Sequence, residues 1–277
     1  MLAIVARPAA LARRTQARQH VRMSKSRMIS DGLAPLLDFI YPPRCAACGD
    51  ATGEQGGLCP SCWADLVIPS EPACCACQRP FGDIGPDGGG LCGPCLAKPP
   101  RHDGIAAGTL YTQTSRKLAL AFKHGGRIAL APMLAKMIAA RLPEADAERL
   151  IVPVPLHRRR LWTRGYNQSV LLGRELERFG HGNLLVDALE RVKPTPSLGG
   201  LGARARGKVL AGAIRPRPSA VGKVVNRDVI LVDDVLTSGA TSDACVKELK
   251  KAGAKRVIIA CFTRVLDEAI DPARAAG

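Results

Sequence analysis

Two adjacent carboxylates, followed by a run of small and hydroxyl residues, have the clearest chemical potential in this chain. Asp233 and Asp234 are followed at 235–241 by Val-Leu-Thr-Ser-Gly-Ala-Thr. A carboxylate pair can accept hydrogen bonds from two neighbouring sugar hydroxyls. Residues 237–241 offer backbone N–H groups, hydroxyls and a helix N-terminus, which together can bind phosphate. The pattern predicts a site for a ribose that carries a 5′-phosphate.

The elements that must position these groups are a strand before them and a helix after them. Residues 229–232 are Val-Ile-Leu-Val, an apolar run typical of a parallel strand that is buried on both faces. A helical pattern begins near Ser242. Ligands of open α/β sheets bind at the carboxyl ends of the strands, where both carboxylates would lie. The alternative is an ordinary buried strand followed by a capped helix.

The segment resembles the phosphoribosyl pyrophosphate (PRPP) signature of type I phosphoribosyltransferases. That signature is a hydrophobic strand, Asp-Asp, two variable residues, Thr, a small residue, Gly, a variable residue and Thr, and every position matches. The resemblance implies an α/β fold with a type I phosphoribosyltransferase-like parallel sheet, and PRPP binding with Mg²⁺. The PRPP-binding residues that it implies are Val232, Asp233, Asp234, Thr237, Ser238, Gly239, Ala240 and Thr241.

The cysteines of this chain are concentrated in one region. Nine of the eleven lie within residues 45–95, as four Cys-x2-Cys pairs and the additional Cys75. The pairs supply enough thiolates for two tetrahedral zinc ions, and these ions would be structural because four thiolates leave no position for water. The region has few large apolar residues, so metal must stabilise it. The expected ligands are Cys45, Cys48, Cys59, Cys62, Cys74, Cys77, Cys92 and Cys95.

Other arrangements of these cysteines are open from the sequence. Disulfides would need an oxidising compartment, and the chain shows no secretory-signal pattern, so we favour zinc. We expect the first two Cys-x2-Cys pairs to bind one ion and the last two pairs the other, with an interleaved pairing as the alternative. Cys75 is expected to be a bystander or a substitute ligand. Cys245 and Cys261 fall in apolar patterns and are expected in the core.

A basic segment at residues 153–169 follows a short apolar strand, and therefore also falls on the ligand side of a parallel sheet. Arginine side chains bind pyrophosphate oxygens in a bidentate manner. We expect a loop here that stabilises departing pyrophosphate and closes over the substrate. Its arginines are Arg158, Arg159, Arg160 and Arg164. We expect Arg164 to be catalytic together with Asp233 and Asp234; a surface that faces nucleic acid is the alternative.

The same segment resembles the Pro-x-Pro-x4-Arg-x3-Arg-Gly-Tyr-Asn-Gln string of the ComF family of competence proteins. The order of features also agrees: cysteine pairs, Phe-Lys-His-Gly at 122–125, the basic segment, then the PRPP signature. The resemblance covers residues 33–265. It implies a double zinc ribbon joined to a phosphoribosyltransferase-like domain, with a role in DNA uptake. The partners that it implies are a phosphoribosyl ligand, single-stranded DNA and competence or DNA-processing proteins.

The sequence departs from that family at residues 191–227, which contain nine basic residues and no acidic one. Leu198 stands where the family has Gln, and Val209 stands where it has Asn. Both changes remove polar groups from the expected acceptor side, so recognition of a base is in doubt. The alternative function is a non-catalytic single-stranded DNA-binding adaptor, with this basic strip following the phosphate backbone.

Composition and charge limit the class of protein. The net charge is +16, which favours phosphate-bearing partners. The first thirty residues hold seven basic residues and no acid, as in a leader or a chain that starts too early. No segment has the length of a membrane span, and we expect a cytoplasmic protein. The expected organisation is a leader at 1–32, a double zinc ribbon at 33–98, a phosphoribosyltransferase-like domain at 104–266 and a tail at 267–277.

Strand and helix patterns alternate after residue 103, which predicts a parallel α/β sheet. The predicted strands are 104–112, 150–155, 229–232 and 256–262. The predicted helices are 115–123, 131–142, 167–179 and 242–252.

Overall fold

The computed structural model describes residues 41–53, 55–81, 90–194 and 209–266. Its helices are α1 (Pro60–Ala64), α2 (Gly93–Ala97), α3 (Gln113–His124), α4 (Ala131–Ala139), α5 (Arg158–Arg164), α6 (Gln168–Arg178), α7 (Pro218–Val224) and α8 (Ala240–Lys251), with a 3₁₀ turn at Ile128–Leu130. Its strands are β1 (Ile105–Leu110), β2 (Leu150–Pro153), β3 (Asn183–Leu184), β4 (Leu189–Arg191), β5 (Ile214–Pro216), β6 (Asp228–Leu236) and β7 (Arg256–Arg264). All of these elements belong to one compact unit that starts at Pro43.

Five of the strands form a parallel sheet in the order β1-β7-β6-β2-β3. The predicted parallel α/β architecture is therefore confirmed. β6, which carries the two carboxylates, lies in the middle of the sheet between β7 and β2. β4 and β5 pair antiparallel in a separate small sheet.

Helices cover both faces of the parallel sheet, because alternate residues of a strand point to opposite sides. Ile230 and Val232 pack in a hydrophobic cluster with residues of α3, α4 and α6. Val229 and Leu231 pack in a second cluster with residues of α7 and α8. Burial on both sides explains why residues 229–232 of β6 are all aliphatic, as the sequence indicated.

The start of α3 is fixed at the carboxyl end of β1 by a capping box. The Ser115 N–H donates to Thr112 Oγ1 at 3.2 Å, and the Thr112 N–H donates to Ser115 Oγ at 2.7 Å. These bonds satisfy backbone donors that the first turn of a helix leaves free. The helix therefore begins directly above the sheet, and its last turn carries Lys123 and His124.

Two predictions were wrong: the length of the central strand and the conformation of the basic segment. β6 continues through Asp233 and Asp234 to Leu236, because its parallel pairing with β7 extends to Arg264. The basic segment, predicted as a loop, contains helix α5. His157 Nδ1 accepts a hydrogen bond from the Arg159 N–H at the start of α5. Arginine and leucine are good helix formers, which accounts for the helix within this segment.

Candidate functional site

The cysteines form two clusters of four. The sulfur atoms of each cluster lie within 4.8 Å of one another, and the clusters are Cys45, Cys48, Cys59 and Cys62, and Cys74, Cys77, Cys92 and Cys95. The Sγ–Sγ distance is 3.5 Å between Cys48 and Cys59, and 3.7 Å between Cys77 and Cys92. A tetrahedral zinc ion with Zn–S bonds of about 2.3 Å needs sulfur atoms about 3.8 Å apart. Donor type and spacing therefore fit zinc with four thiolate ligands.

Both clusters begin with the same backbone turn. The Gly49 N–H donates to the carbonyl of Cys45 at 2.9 Å, and the Gln78 N–H donates to that of Cys74 at 2.7 Å. The donors have φ angles of +86° and +55°, in the left-handed region. Glycine adopts this region without strain, and Gln78 is held in it by its turn. The two clusters are thus a structural repeat that the four Cys-x2-Cys pairs indicated.

The first cysteine of each cluster has a lowered pKa. Burial disfavours the thiolate of Cys45, but backbone N–H groups, with that of Cys59 foremost, lower its pKa to about 6. Burial likewise disfavours the thiolate of Cys74, but backbone N–H groups, with that of Cys92 foremost, lower its pKa to about 6. The Cys92 N–H lies 3.3 Å from the sulfur of Cys74. Ionised thiolates are the form that binds zinc.

The clusters differ in how they join the rest of the protein. All four cysteines of the second cluster are buried, and they share a hydrophobic cluster with residues of the parallel sheet. The guanidinium of Arg264, at the end of β7, donates to the Cys77 carbonyl. In the first cluster Cys48 is exposed, and its other three cysteines form a small hydrophobic cluster of their own. Cys75 is exposed and outside both groups.

A cavity of about 1040 Å³ opens at the carboxyl ends of the parallel strands. It brings together seven of the residues that the sequence singled out: Arg160, Arg164, Asp233, Asp234, Thr237, Ser238 and Thr241. Five other predicted residues do not line this cavity; two of them, Gly239 and Ala240, line an adjoining one. Val232 is fully buried in the sheet, and Arg158 and Arg159 are not among the residues that line the cavity.

A second, smaller cavity of about 50 Å³ adjoins the first and is lined by Asp233 and residues 235–242. Gly239 has a φ of +69° and immediately precedes the first residue of α8. The N-terminal N–H groups of a helix lack partners within the helix and attract anions. Gly239 and Ala240 line this small cavity, and its size and position suit one phosphate group.

Hydrogen bonds to the backbone orient the carboxylates. Asp233 Oδ1 accepts from the Asp234 N–H at 2.9 Å, and Asp234 Oδ1 accepts from the Val235 N–H at 2.8 Å. Lys123 Nζ lies 3.6 Å from Asp234 Oδ2. Burial, followed by the negative charge of Asp234, raises the pKa of Asp233 to about 8. The environment of Asp233 therefore disfavours its charged form.

Sequence reasoning missed several basic residues that line the cavity, among them Arg116, Lys123, His124 and Arg191. Arg191 was expected in the basic strip, yet it is only 8% exposed. Burial, followed by the positive charge of Arg160, lowers the pKa of Arg191. Lys123 belongs to the Phe-Lys-His-Gly segment. The position of this segment after the first strand was a signal for Lys123, but nothing in the sequence indicated that it lies close to Asp234.

In the described part of the basic strip at 191–227, three arginines form ion pairs with acidic residues. Arg215 lies 2.6 Å from Glu190, Arg217 lies 3.5 Å from Asp187, and Arg227 lies 3.4 Å from Glu148. These acids precede the strip in the sequence, so a count within the strip did not reveal them. Residues 195–208, with Leu198, are outside the described part of the chain. Val209 is half-buried.

The outer side of α5 has a different character from its cavity side. Trp162 is 89% exposed and Leu161 is 41% exposed. Arg158 and Arg159 belong to the same helix. One short helix thus contributes Arg160 and Arg164 to the cavity, and an aromatic side chain to the surface.

Comparisons with known proteins agree with both parts of this architecture. The Double zinc ribbon domain matches residues 36–100, and the Phosphoribosyl transferase domain matches residues 190–274. The two four-cysteine clusters and the first match together support structural zinc. Across the described residues, no helix combines the length and the apolar character needed to cross a membrane.

Individual relatives cover most of the chain. DNA utilization protein YhgH of Escherichia coli (strain K12) is 30% identical over 228 residues, which cover 80% of this chain and 90% of that protein. Competence protein F of Haemophilus influenzae is 31% identical over 221 residues, covering 77% and 93%. Among solved structures, glutamine PRPP amidotransferase from B. subtilis, complexed with ADP and GMP, is 18% identical with a TM-score of 0.36, covering 52% of this chain and 30% of that chain. By its two domains and these near-full-length relatives, the chain belongs to the ComF family, together with Competence protein F and YhgH.

Proposed function

We propose that the cavity binds PRPP. The observation that carries the proposal is that the small phosphate-sized cavity adjoins the carboxylate pair: Asp233 and Thr237 line both cavities. The 5′-phosphate would bind to the backbone N–H groups and hydroxyls of residues 237–241. The ribose hydroxyls would donate hydrogen bonds to Asp233 and Asp234.

The pyrophosphate group of PRPP would lie toward the basic lining of the larger cavity. Arg160 and Arg164 come from α5, Lys123 from α3 and Arg191 from β4, and all four side chains line the same space. Guanidinium groups bind phosphate oxygens in a planar, bidentate manner. Mg²⁺ bound together with PRPP would neutralise part of the pyrophosphate charge.

This arrangement favours transfer of the phosphoribosyl group. A nitrogen atom of an acceptor forms a bond to C1′ of the ribose, and the bond from C1′ to the pyrophosphate oxygen breaks. Pyrophosphate leaves with the electron pair, and the acceptor nitrogen loses its proton. Arg160 and Arg164 would stabilise the charge that develops on the departing group. Asp233 and Asp234 would hold the ribose while this happens.

The two ends of PRPP can be tested separately by equilibrium dialysis with ribose 5-phosphate and with pyrophosphate. Gly239→Val places a β-branched residue at a φ of +69°, next to the small cavity. We expect this variant to lose binding of ribose 5-phosphate and to retain binding of pyrophosphate. Arg164→Gln should have the opposite selectivity. Equal loss of both ligands in both variants would count against two separate subsites.

The biological setting that we propose is the handling of DNA, because the relatives are named for DNA utilization and competence. A non-catalytic contact with single-stranded DNA is the second candidate function. The observation that favours it is Trp162, 89% exposed on the same helix as Arg158 and Arg159. Stacking of a base on an aromatic side chain contributes about 1–3 kcal/mol, and arginines bind the adjacent phosphates.

The second candidate can be tested by fluorescence, since the chain has two tryptophans. In Trp63→Phe the remaining tryptophan is Trp162, so its emission reports on α5. Oligothymidylate should quench it, and the quenching should weaken as salt increases. If the oligonucleotide leaves the emission unchanged at low salt, α5 is not a site for single-stranded DNA.

A further inference from the structure

The segment Tyr166-Asn167-Gln168 runs from the end of α5 into the first residue of α6 and forms hydrogen bonds with two neighbouring parts of the cavity wall. The Tyr166 hydroxyl donates to the carbonyl of Phe122 at 2.6 Å. The Gln168 side-chain amide donates to the carbonyl of Lys123 at 3.1 Å. The Asn167 amide donates to the carbonyl of Val154, just beyond β2, also at 3.1 Å. These bonds link the segment to α3 and to the end of β2.

The two bonds to α3 reach carbonyls in its last turn. The last four carbonyls of a helix have no partner within the helix. Phe122 and Lys123 lie in this turn, before the C-cap at Gly125. Gln168 is only 2% exposed, so its amide has little water as an alternative partner. The bonds from Tyr166 and Gln168 therefore define where α3 ends.

The end of α3 determines where a charged group enters the cavity. Lys123 Nζ lies 3.6 Å from Asp234 Oδ2, and its side chain is 32% exposed. The backbone of Lys123 is held by Gln168, and that of the preceding residue by Tyr166. A shift of this turn would move the ammonium group away from the carboxylate pair.

We infer that Tyr166 and Gln168 are positioning residues that hold Lys123 beside Asp234. The inference rests on the proposed PRPP site for its functional meaning, since Lys123 would otherwise be only a partner of a buried acid. Asn167 and Gln168 also line the cavity, so this segment is part of its wall. The same segment follows directly after Arg164 and Gly165. It therefore links the end of α5, which carries Arg164, to the end of α3, which carries Lys123.

The test compares Tyr166→Phe and Gln168→Leu with a matched control. Asn183→Ala removes a side-chain bond of the same kind, from the Asn183 amide to the carbonyl of Ala147, but in a different part of the sheet. The first readout needs no ligand: the rate of reductive methylation of Lys123 relative to Lys136, measured by mass spectrometry. We expect this relative rate to rise about fivefold in both test variants, because each loses one hydrogen bond, and a net contribution of about 1 kcal/mol corresponds to about fivefold. The control should show no change.

The second readout is PRPP affinity in a double-mutant cycle. Tyr166→Phe should weaken PRPP binding by about fivefold in the parent protein and have no effect in a Lys123→Met background, because the two residues act through one group. Unchanged Lys123 reactivity with a lowered Tm would overturn the inference and leave Tyr166 as a structural cap. If Lys123 reactivity rises in the test variants but the parent protein does not bind PRPP, the positioning role is supported and PRPP is ruled out as the ligand of the cavity.

Discussion

The cysteine clusters and the cavity show two ways in which one chain assembles a site. Each cluster takes its four ligands from one short stretch, within 45–62 or 74–95. The cavity takes its lining from residues as far apart in sequence as Tyr111 and Val265. Local turns are enough to bring a cluster together, whereas the cavity exists only once the parallel sheet has formed.

This difference separates stability from binding. Binding of zinc by four thiolates stabilises the folded state of the surrounding chain, so substitutions of the cysteines are expected to lower stability. The charged side chains that line the cavity contribute little to the hydrophobic core, so changes there are expected to act mainly on ligand affinity. Substitutions in the two regions should therefore have effects of different kinds.

The largest expected effect comes from the second cluster. Cys95 is buried and packs with residues of the sheet. Cys95→Ser should abolish binding of one zinc ion and destabilise the whole domain, since structural zinc contributes on the order of 10 kcal/mol to folding. Metal analysis should show one zinc ion fewer per chain, and circular dichroism should show a large decrease in Tm.

Two controls sharpen this prediction. Cys75→Ser should leave zinc content and Tm unchanged, because Cys75 lies outside both clusters. Cys48→Ser should also release zinc but lower the Tm by less, because Cys48 is exposed whereas Cys95 is buried in the same hydrophobic cluster as strands of the sheet. If Cys95→Ser kept its full zinc content, the assignment of the ligands would be wrong.

A smaller effect, on binding alone, is expected for the arginines of α5. Arg160 and Arg164 line the cavity, whereas Arg158 and Arg159 do not. Arg160→Gln/Arg164→Gln should weaken PRPP binding by at least about tenfold, since a hydrogen bond to a charged group contributes about 1.5–3 kcal/mol. Arg158→Gln/Arg159→Gln removes the same charge and should change the affinity by less than about twofold. Equal losses in calorimetric titrations would mean that total charge, rather than position, determines binding.

The last expected effect, on folding rather than on binding, is the pH dependence of stability. The pKa of Asp233 is about 8 in the folded protein because of burial and Asp234, and about 4 in an unfolded chain. The folded state thus favours the protonated form, and this contribution to stability decreases as pH rises toward 8. Between pH 6 and pH 8, the free energy of unfolding should fall less in Asp233→Asn than in the parent protein. Urea denaturation at several pH values measures this; parallel curves would contradict the raised pKa.

The sequence was most informative where the controlling interactions are local. The uninterrupted run at 229–232 predicted a parallel strand buried on both faces, and the Cys-x2-Cys spacing predicted two sets of four sulfur ligands. It was less informative where pairing between distant segments decides. The extension of β6 through Asp233 depends on its pairing with β7. The helix in the basic segment is a different case, because its caps, His157 and Gly165, are local signals that the sequence interpretation overlooked.

The least predictable residues are those whose role depends on burial. Arg191 stands in a run of basic residues that suggested a surface, yet it lines the cavity wall, because β4 pairs with β5 and β5 packs against α8. Lys123 meets Asp234 because of where α3 begins and ends relative to the sheet. A single sequence contains no signal for either contact, since each is fixed by the relative placement of whole elements.

The central claim is that the carboxylate pair and the adjoining phosphate-sized cavity form a working PRPP site. The most direct measurement is calorimetric titration of the zinc-loaded protein with PRPP and Mg²⁺, repeated on Asp233→Asn/Asp234→Asn. We predict saturable binding by the parent protein with a stoichiometry of about one, and its loss in the double variant at unchanged zinc content. Absence of binding by the parent protein, or equal binding by the variant, would contradict the claim.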